Sequence, residues 1–192
     1  LSLIVPDRLT NPDKLIIAAK ESLNSKKPYS FGTDRGTVFS SSELHIRVAP
    51  ENIGRALRFM DAFIKVVRAR GHKISVENNS VSVIVYEVKM KIHVREKMKR
   101  TAIPTKNSWT ESEYNPSGIL CLQIRERSYR CYEWADGKLL IEKQLARILA
   151  NLETKAKEIN EENLRIKEHW ADEEEKERVQ EEVVKREENM PV

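Results

Sequence analysis

Residues 43–76 read ELHIRVAPENIGRALRFMDAFIKVVRARGHKISV, and the changes of period inside this stretch decide the fold. Leu44, Ile46 and Val48 alternate with His45 and Arg47, the pattern of a strand with one face buried. Ala49-Pro50-Glu51-Asn52 breaks it. Ile53, Ala56, Leu57, Met60, Ile64 and Val67 then share one stripe of a helix. Gly71 ends that helix after Arg68 and Arg70, cations that suit the negative C-terminal end. Residues 73–77 return to strand character, so a strand–helix–strand unit is expected.

Outward from this unit, Asn78-Asn79-Ser80 is a turn, and residues 81–86 should fold back as a hairpin. Val88, Met90, Ile92 and Val94 alternate with Lys89, Lys91, His93 and Arg95. Residues 104–116 read as a polar loop. Residues 119–124 and 129–134 read as a second hairpin around Arg125-Glu126-Arg127, and Asp136-Gly137 as a tight turn in which Gly137 supplies a positive φ. From about Lys138 the period becomes helical, with Ile141, Leu145, Ile148, Leu149, Leu152, Ala156 and Ile159 on one stripe. Upstream, Asn11-Pro12-Asp13 is a helix start, followed by Leu15, Ala18, Ala19 and Leu23. Residues 24–42 read as a loop.

The fold class expected is α+β: a mostly antiparallel sheet containing the strand–helix–strand unit, helices on one face, and a long charged C-terminal helix. Residues 1–42 form an N-terminal extended segment, helix and loop, residues 43–160 the core domain, and residues 161–192 a charged helical tail.

Composition restricts the function classes. Charged residues make up 33% of the 192, above the usual quarter, so part of the chain is mostly surface. The net charge of +4 is uneven: residues 151–192 hold 8 Lys+Arg against 14 Asp+Glu, while the rest holds 26 against 16. A basic body with an acidic tail points to an anionic partner, or to attraction between the body and tail of different copies. No apolar run approaches 18 residues, so no membrane span is expected. Cys121, Cys131 and the four histidines lack zinc spacing, no cofactor motif occurs, and a reducing cytoplasm is the simplest compartment. The chain begins Leu1-Ser2-Leu3 and reads as a piece of something longer.

The main candidate site is a basic strand. Lys89, Lys91, His93, Arg95, Lys97 and Lys99 share one parity and should line one face. Arg55 and Arg58, with Lys65 and Arg68, line the polar side of the central helix. Such surfaces bind phosphates by releasing counterions; lysines on a strand also serve as an ordinary solvated face guarded against edge pairing. A second pattern, Glu87-Val88-Lys89, is the metal-and-base arrangement of many nucleases if a second acid, Glu77 or Asp61, stands near. A hairpin centred on Glu126 sets Cys121 opposite Cys131, as two buried thiols or a bridge. Beyond Asn160, Leu164, Ile166, Trp170, Val179, Val183 and Val184 lie among charges, which describes an exposed helix, a weak coiled coil or a tail that orders on a partner; residues 160–190 are the candidate surface for self-association or a partner protein.

Four stretches carry a resemblance: Val5-Pro6-Asp7-Arg8-Leu9 with the following helix, Arg55-Ala56-Leu57-Arg58-Phe59-Met60-Asp61-Ala62, Val94-Arg95-Glu96-Lys97-Met98-Lys99-Arg100, and Trp134-Ala135-Asp136-Gly137-Lys138. Together they resemble the C-terminal region of a family of uncharacterised bacterial proteins that carry an N-terminal helix-turn-helix-like segment. The resemblance implies a DNA-associated role for the whole protein and assigns no catalytic residue. It also implies that this region serves assembly or sensing while another part reads DNA.

Overall fold

A computed structural model of the chain describes residues 3–104, 110–127 and 130–188. The element order is α1 (Lys14–Asn24), β1 (Val38–Phe39), β2 (His45–Val48), α2 (Ile53–Ala69), β3 (Lys73–Glu77), β4 (Ser80–Val85), β5 (Val88–Pro104), β6 (Thr110–Arg127), β7 (Arg130–Ala135) and α3 (Leu145–Glu188), with short 3-10 turns at Pro50–Asn52 and Ile141–Lys143. This is the expected α+β class: one mixed sheet, helices on one face and a long C-terminal helix.

β5 is the axis of the sheet. Its one edge is taken by β6, which in turn pairs with β7. Its other edge is shared end to end: β4 pairs antiparallel with residues 88–91 and β2 pairs parallel with residues 93–95. β3 adds to β4 and β1 to β2. The strand–helix–strand unit is therefore β2–α2–β3, whose two strands run parallel but are not neighbours.

The even-numbered side chains of β5 (Val88, Met90, Ile92, Val94) face the core, beneath α2 and the first half of α3. α2 is buried on more than the one stripe read from its period: Phe59, Phe63 and Val66 are also inaccessible, and α1 packs against the helix as well as against β1. The α1 residues Leu15, Ile16, Ala19 and Leu23 belong to the same apolar cluster. Burial along α3 ends at Ile159, so the expected stripe from Ile141 to that residue is all core. The remaining two thirds of this 44-residue helix, roughly 66 Å long in total at about 1.5 Å per residue, leave the sheet.

Several expectations are corrected. The 24–42 segment contains β1. The polar loop expected over residues 104–116 is strand from Thr110 onward; residues 105–109 lie outside the described residues. The second hairpin turns two residues later than expected: Arg125 is opposite Cys131 and Arg127 opposite Arg130, with residues 128 and 129 outside the described residues. Cys121 is therefore opposite Ala135, and the thiols are separate, Cys121 buried and Cys131 exposed. Gly137 is not among the positive-φ residues; Gly71 (φ 85°) is, as a helix terminator should be. Asn78 and Asn79 (φ 48° and 54°) make the β3–β4 turn expected of them, and Tyr86 and Glu87 (φ 47° and 65°) make the β4–β5 turn in the same way.

One buried carboxyl sits where these elements meet. Glu96 is 3% exposed, and Oε2 accepts from the Ala49 N–H (2.9 Å) and Asn52 Nδ2 (3.1 Å) at the junction of β2 and α2. Oε1 accepts from the Gly118 N–H (2.6 Å) in the β6 bulge, where Pro116 pairs with Met98 but Leu120 with Glu96, leaving residues 117–119 against Lys97 alone. Next to it Asp136 accepts from the Leu120 and Ile141 N–H groups (both 2.8 Å) and from Arg55, which also pairs with Glu142. Glu96→Ala removes the acceptor of three donors in a dry site, each costing about 1–3 kcal/mol when left unpaired. The expected loss is about 2–4 kcal/mol of unfolding free energy in urea titration, against less than about 0.5 kcal/mol for the exposed control Lys99→Ala. A loss as small as the control's would show that the bulge and the helix entry hold without it.

Candidate nucleic-acid interface

The face of the sheet away from the helices carries the odd-numbered side chains of β5, and pairing sets them in transverse rows. The first row runs Phe39, Arg47, Arg95, Cys121, Ala135; the second His45, His93, Gln123, Glu133; the third Ser75, Ser82, Lys91, Arg125, Cys131. Each row follows from strand period alone, since same-parity residues at paired positions must share a face.

The basic residues expected here do not all play the same part. Lys89 pairs with Glu77, whose carboxyl that ammonium draws below its ordinary range, with help from Ser75. Arg95 (3.4 Å) and Lys97 (2.7 Å) converge on Glu133. Desolvation pushes the Glu133 carboxyl up, but hydrogen bonds from Lys97 and Gln123 outweigh it and hold the group near 2. Arg47 pairs with Asp34 (2.9 Å) and lies over the Phe39 ring, 5.1 Å from its centroid. Lys91 and Arg125 face each other in register, and neither is ion-paired among the described residues. Lys99 lies farther along, exposed, where β5 and β6 run on as a two-stranded ribbon.

The helix residues do not join this surface. Arg55 is engaged with Glu142 (2.8 Å) and Asp136 (3.2 Å) on the helix side of the sheet, a pairing that raises its pKa. Lys65 is tied to Asp61 (2.6 Å) and to the Asn11 carbonyl (2.8 Å), and Arg68 to Asp13, so both serve to dock α1 on α2. Arg58 lines a cleft of about 500 Å³ with Val5, Arg55, Leu140 and Glu142.

Sequence reasoning missed Arg47, His45, Gln123 and Arg125. A hairpin centred on Glu126 puts Arg125 in the turn, two residues too early. Arg47 and His45 are visible as the polar side of β2, but no local signal reveals that β2 lies parallel beside β5.

The nuclease arrangement is not assembled. Glu87 is in the β4–β5 turn rather than on the strand, Lys89 is committed to Glu77, and Asp61 is buried beneath α1. Among the described residues no group of three or more His, Cys, Asp or Glu is placed to hold a metal ion, and no helix is long and apolar enough to cross a membrane.

At the centre of the open face His45 and His93 meet edge to face, centroids 5.0 Å apart, and Phe39 lies 5.6 Å from His45. His45 donates from Nε2 to the Asn79 carbonyl (3.1 Å). Burial, and then electrostatic repulsion from His45, Arg125, Lys91 and Arg47, push the His93 pKa down to about 4. Burial also raises the Cys121 thiol to about 12, with Glu133 beside it acting in the same direction, so this cysteine is not a nucleophile at neutral pH. No family model, curated protein or solved structure matches the chain.

The depressed His93 has a consequence for stability. The unfolded chain takes up this proton near the ordinary 6.5 and the folded protein only near 4. The contribution of neutral His93 is thus complete above 6.5 and is lost as pH falls toward 4. The urea midpoint of the unaltered protein should fall more steeply across that window than that of His93→Gln. Parallel profiles would mean that His93 protonates in the folded protein as readily as in the unfolded chain.

Proposed function

We propose that this domain is a non-enzymatic module of a nucleic-acid-associated protein, and that its open sheet face holds phosphate backbone without reading sequence. The observation that carries this reading is the cross-strand pair Lys91–Arg125, flanked by Arg47 and Arg95. Like charges set directly opposite each other on a sheet are destabilising. The Lys91–Arg125 pair therefore costs the fold stability unless an anion lies across it, whereas Arg47 and Arg95, opposite each other two rows away, already have Asp34 and Glu133 in reach. The lowered His93 pKa supports the same positive potential, since three of these cations contribute to it. The resemblance to a family with a helix-turn-helix-like segment agrees with this reading.

The test is fluorescence anisotropy of a labelled, mixed-sequence nucleic acid at low and physiological salt. Binding should fall steeply with salt. Lys91→Ala with Arg125→Ala should weaken it and lower the salt slope by roughly one for each phosphate that is no longer neutralised. Arg58→Ala, on the helix side, should leave it unchanged. Absence of binding at low salt, or tight binding indifferent to salt, would sink the reading.

A second reading, a self-association module, is favoured by the far half of α3. There Leu164, Ile166, Trp170, Val179 and Val183 are exposed, Trp170 at 65%, on an acidic helix that touches little of its own body. It predicts a sedimentation mass that rises with protein concentration and returns to the monomer value in Trp170→Ala. A monomer at all concentrations would rule it out.

A further inference from the structure

The middle row of the open face differs from its neighbours. The rows on either side are cationic at β5, Arg95 and Lys91, and these positions are about 13 Å apart along the strand. Between them lies His93 with His45 beside it, two imidazole rings in contact, with the Phe39 ring next in line. Shallow clefts of about 180 Å³ and about 500 Å³ share His45, His93 and Arg125 as walls, so the rings and the Arg125 guanidinium open to the same space. Among the described residues the helices pack on the opposite face.

A surface that only neutralises phosphates needs none of this. A duplex keeps its bases stacked inside and presents phosphates outside, so rings at the centre of a cationic face have nothing to meet. A single strand presents both: its phosphates follow the charges and its unpaired bases offer flat π faces to any ring in reach. We propose that the open face takes single-stranded rather than duplex nucleic acid, an unpaired base stacking at the His45–His93 pair while Arg47, Lys91, Arg95 and Arg125 hold the flanking phosphates. This inference rests on the reading of the face as a phosphate-binding surface. With its pKa near 4, His93 meets the base as a neutral ring at physiological pH. The Arg47 guanidinium, already over Phe39, supplies a second planar group for the same purpose.

The experiment compares three labelled probes on the full chain at one salt concentration: a mixed-sequence single strand, the duplex of that sequence, and an abasic strand of the same length, which keeps the phosphates and lacks the bases. The intact single strand should bind about tenfold or more tighter than either of the others, since stacking is worth roughly a 5- to 150-fold factor per base. In the double variant His45→Ala, His93→Ala the intact and abasic strands should bind alike. The abasic comparison uses the unaltered protein, so it stands even if the variant folds poorly. Equal, salt-sensitive binding of all three probes would overturn the stacking site and leave the phosphate reading in place. Absence of binding by any probe at low salt would remove both. A preference for bases that survives in a folded double variant would overturn the assignment to the two imidazoles.

Discussion

A buried carboxyl bonded to three nitrogen donors holds this fold in register. Glu96 lies at the one point of β5 where β2 ends on one edge and β6 bulges on the other. By accepting from Ala49, Asn52 and Gly118 it fixes where α2 leaves the sheet and absorbs the bulge's N–H in a region closed to water. Asp136 repeats the device one step away, joining β6 to the start of the C-terminal helix and holding Arg55 between itself and Glu142. Such groups are favourable only while every donor is matched, and this makes the corner a constraint on the whole sheet rather than a local ornament.

With the helices fixed to one side, the other side of the sheet is free to carry charge. The residues there sort by what faces them. Lys89, Lys97 and Arg95 have carboxylates in reach, Glu77 or Glu133, so they resemble the solvated, self-compensated face of many sheets. Lys91 and Arg125 have no ion pair among the described residues, and together with Arg47 they help keep His93 uncharged. The electrostatics thus narrow a broad basic stripe to a few groups around two imidazoles. The helix cations Arg55, Lys65 and Arg68 belong to a different structural task, holding the N-terminal helix and the sheet corner in place.

The C-terminal helix shows how one continuous element serves two environments. Up to Ile159 its apolar stripe is large, regular and buried against β4 and β5. Farther on, Glu162 reaches Arg130 and the apolar residues become sparse and exposed. Ion pairs spaced one turn apart, such as Arg178 with Glu175 and Lys185 with Glu181, then accompany the backbone hydrogen bonds that keep the helix going. Its acid-rich surface and the cationic sheet face are thus borne by separate parts of one chain.

Local pattern was enough for most of the element types, though not for β1 or for the strand over residues 110–116. Alternation in residues 44–48 and 88–94, the 3.6-residue stripe of α2, the Asn78-Asn79 turn and the stripe ending at Ile159 each follow from short-range sterics and burial, and each is read correctly without a structure. The parity rule likewise put Lys91, His93 and Arg95 on one face. What local pattern does not contain is which strands lie side by side and in what register. A two-residue error in the β6–β7 turn hides Arg125 and pairs the wrong residue with Cys121. The parallel contact of β2 with β5, between residues 48 positions apart at His45 and His93, puts the two imidazoles together. Glu96 reads in sequence as one more charge in a basic strand, and only the convergence of Ala49, Asn52 and Gly118 makes it a buried acceptor. Sequence by itself determined the alternation of side chains along each element, because that depends on backbone geometry alone. Tertiary structure decided which charges were matched and which left facing solvent, because that depends on partners brought together from distant parts of the chain.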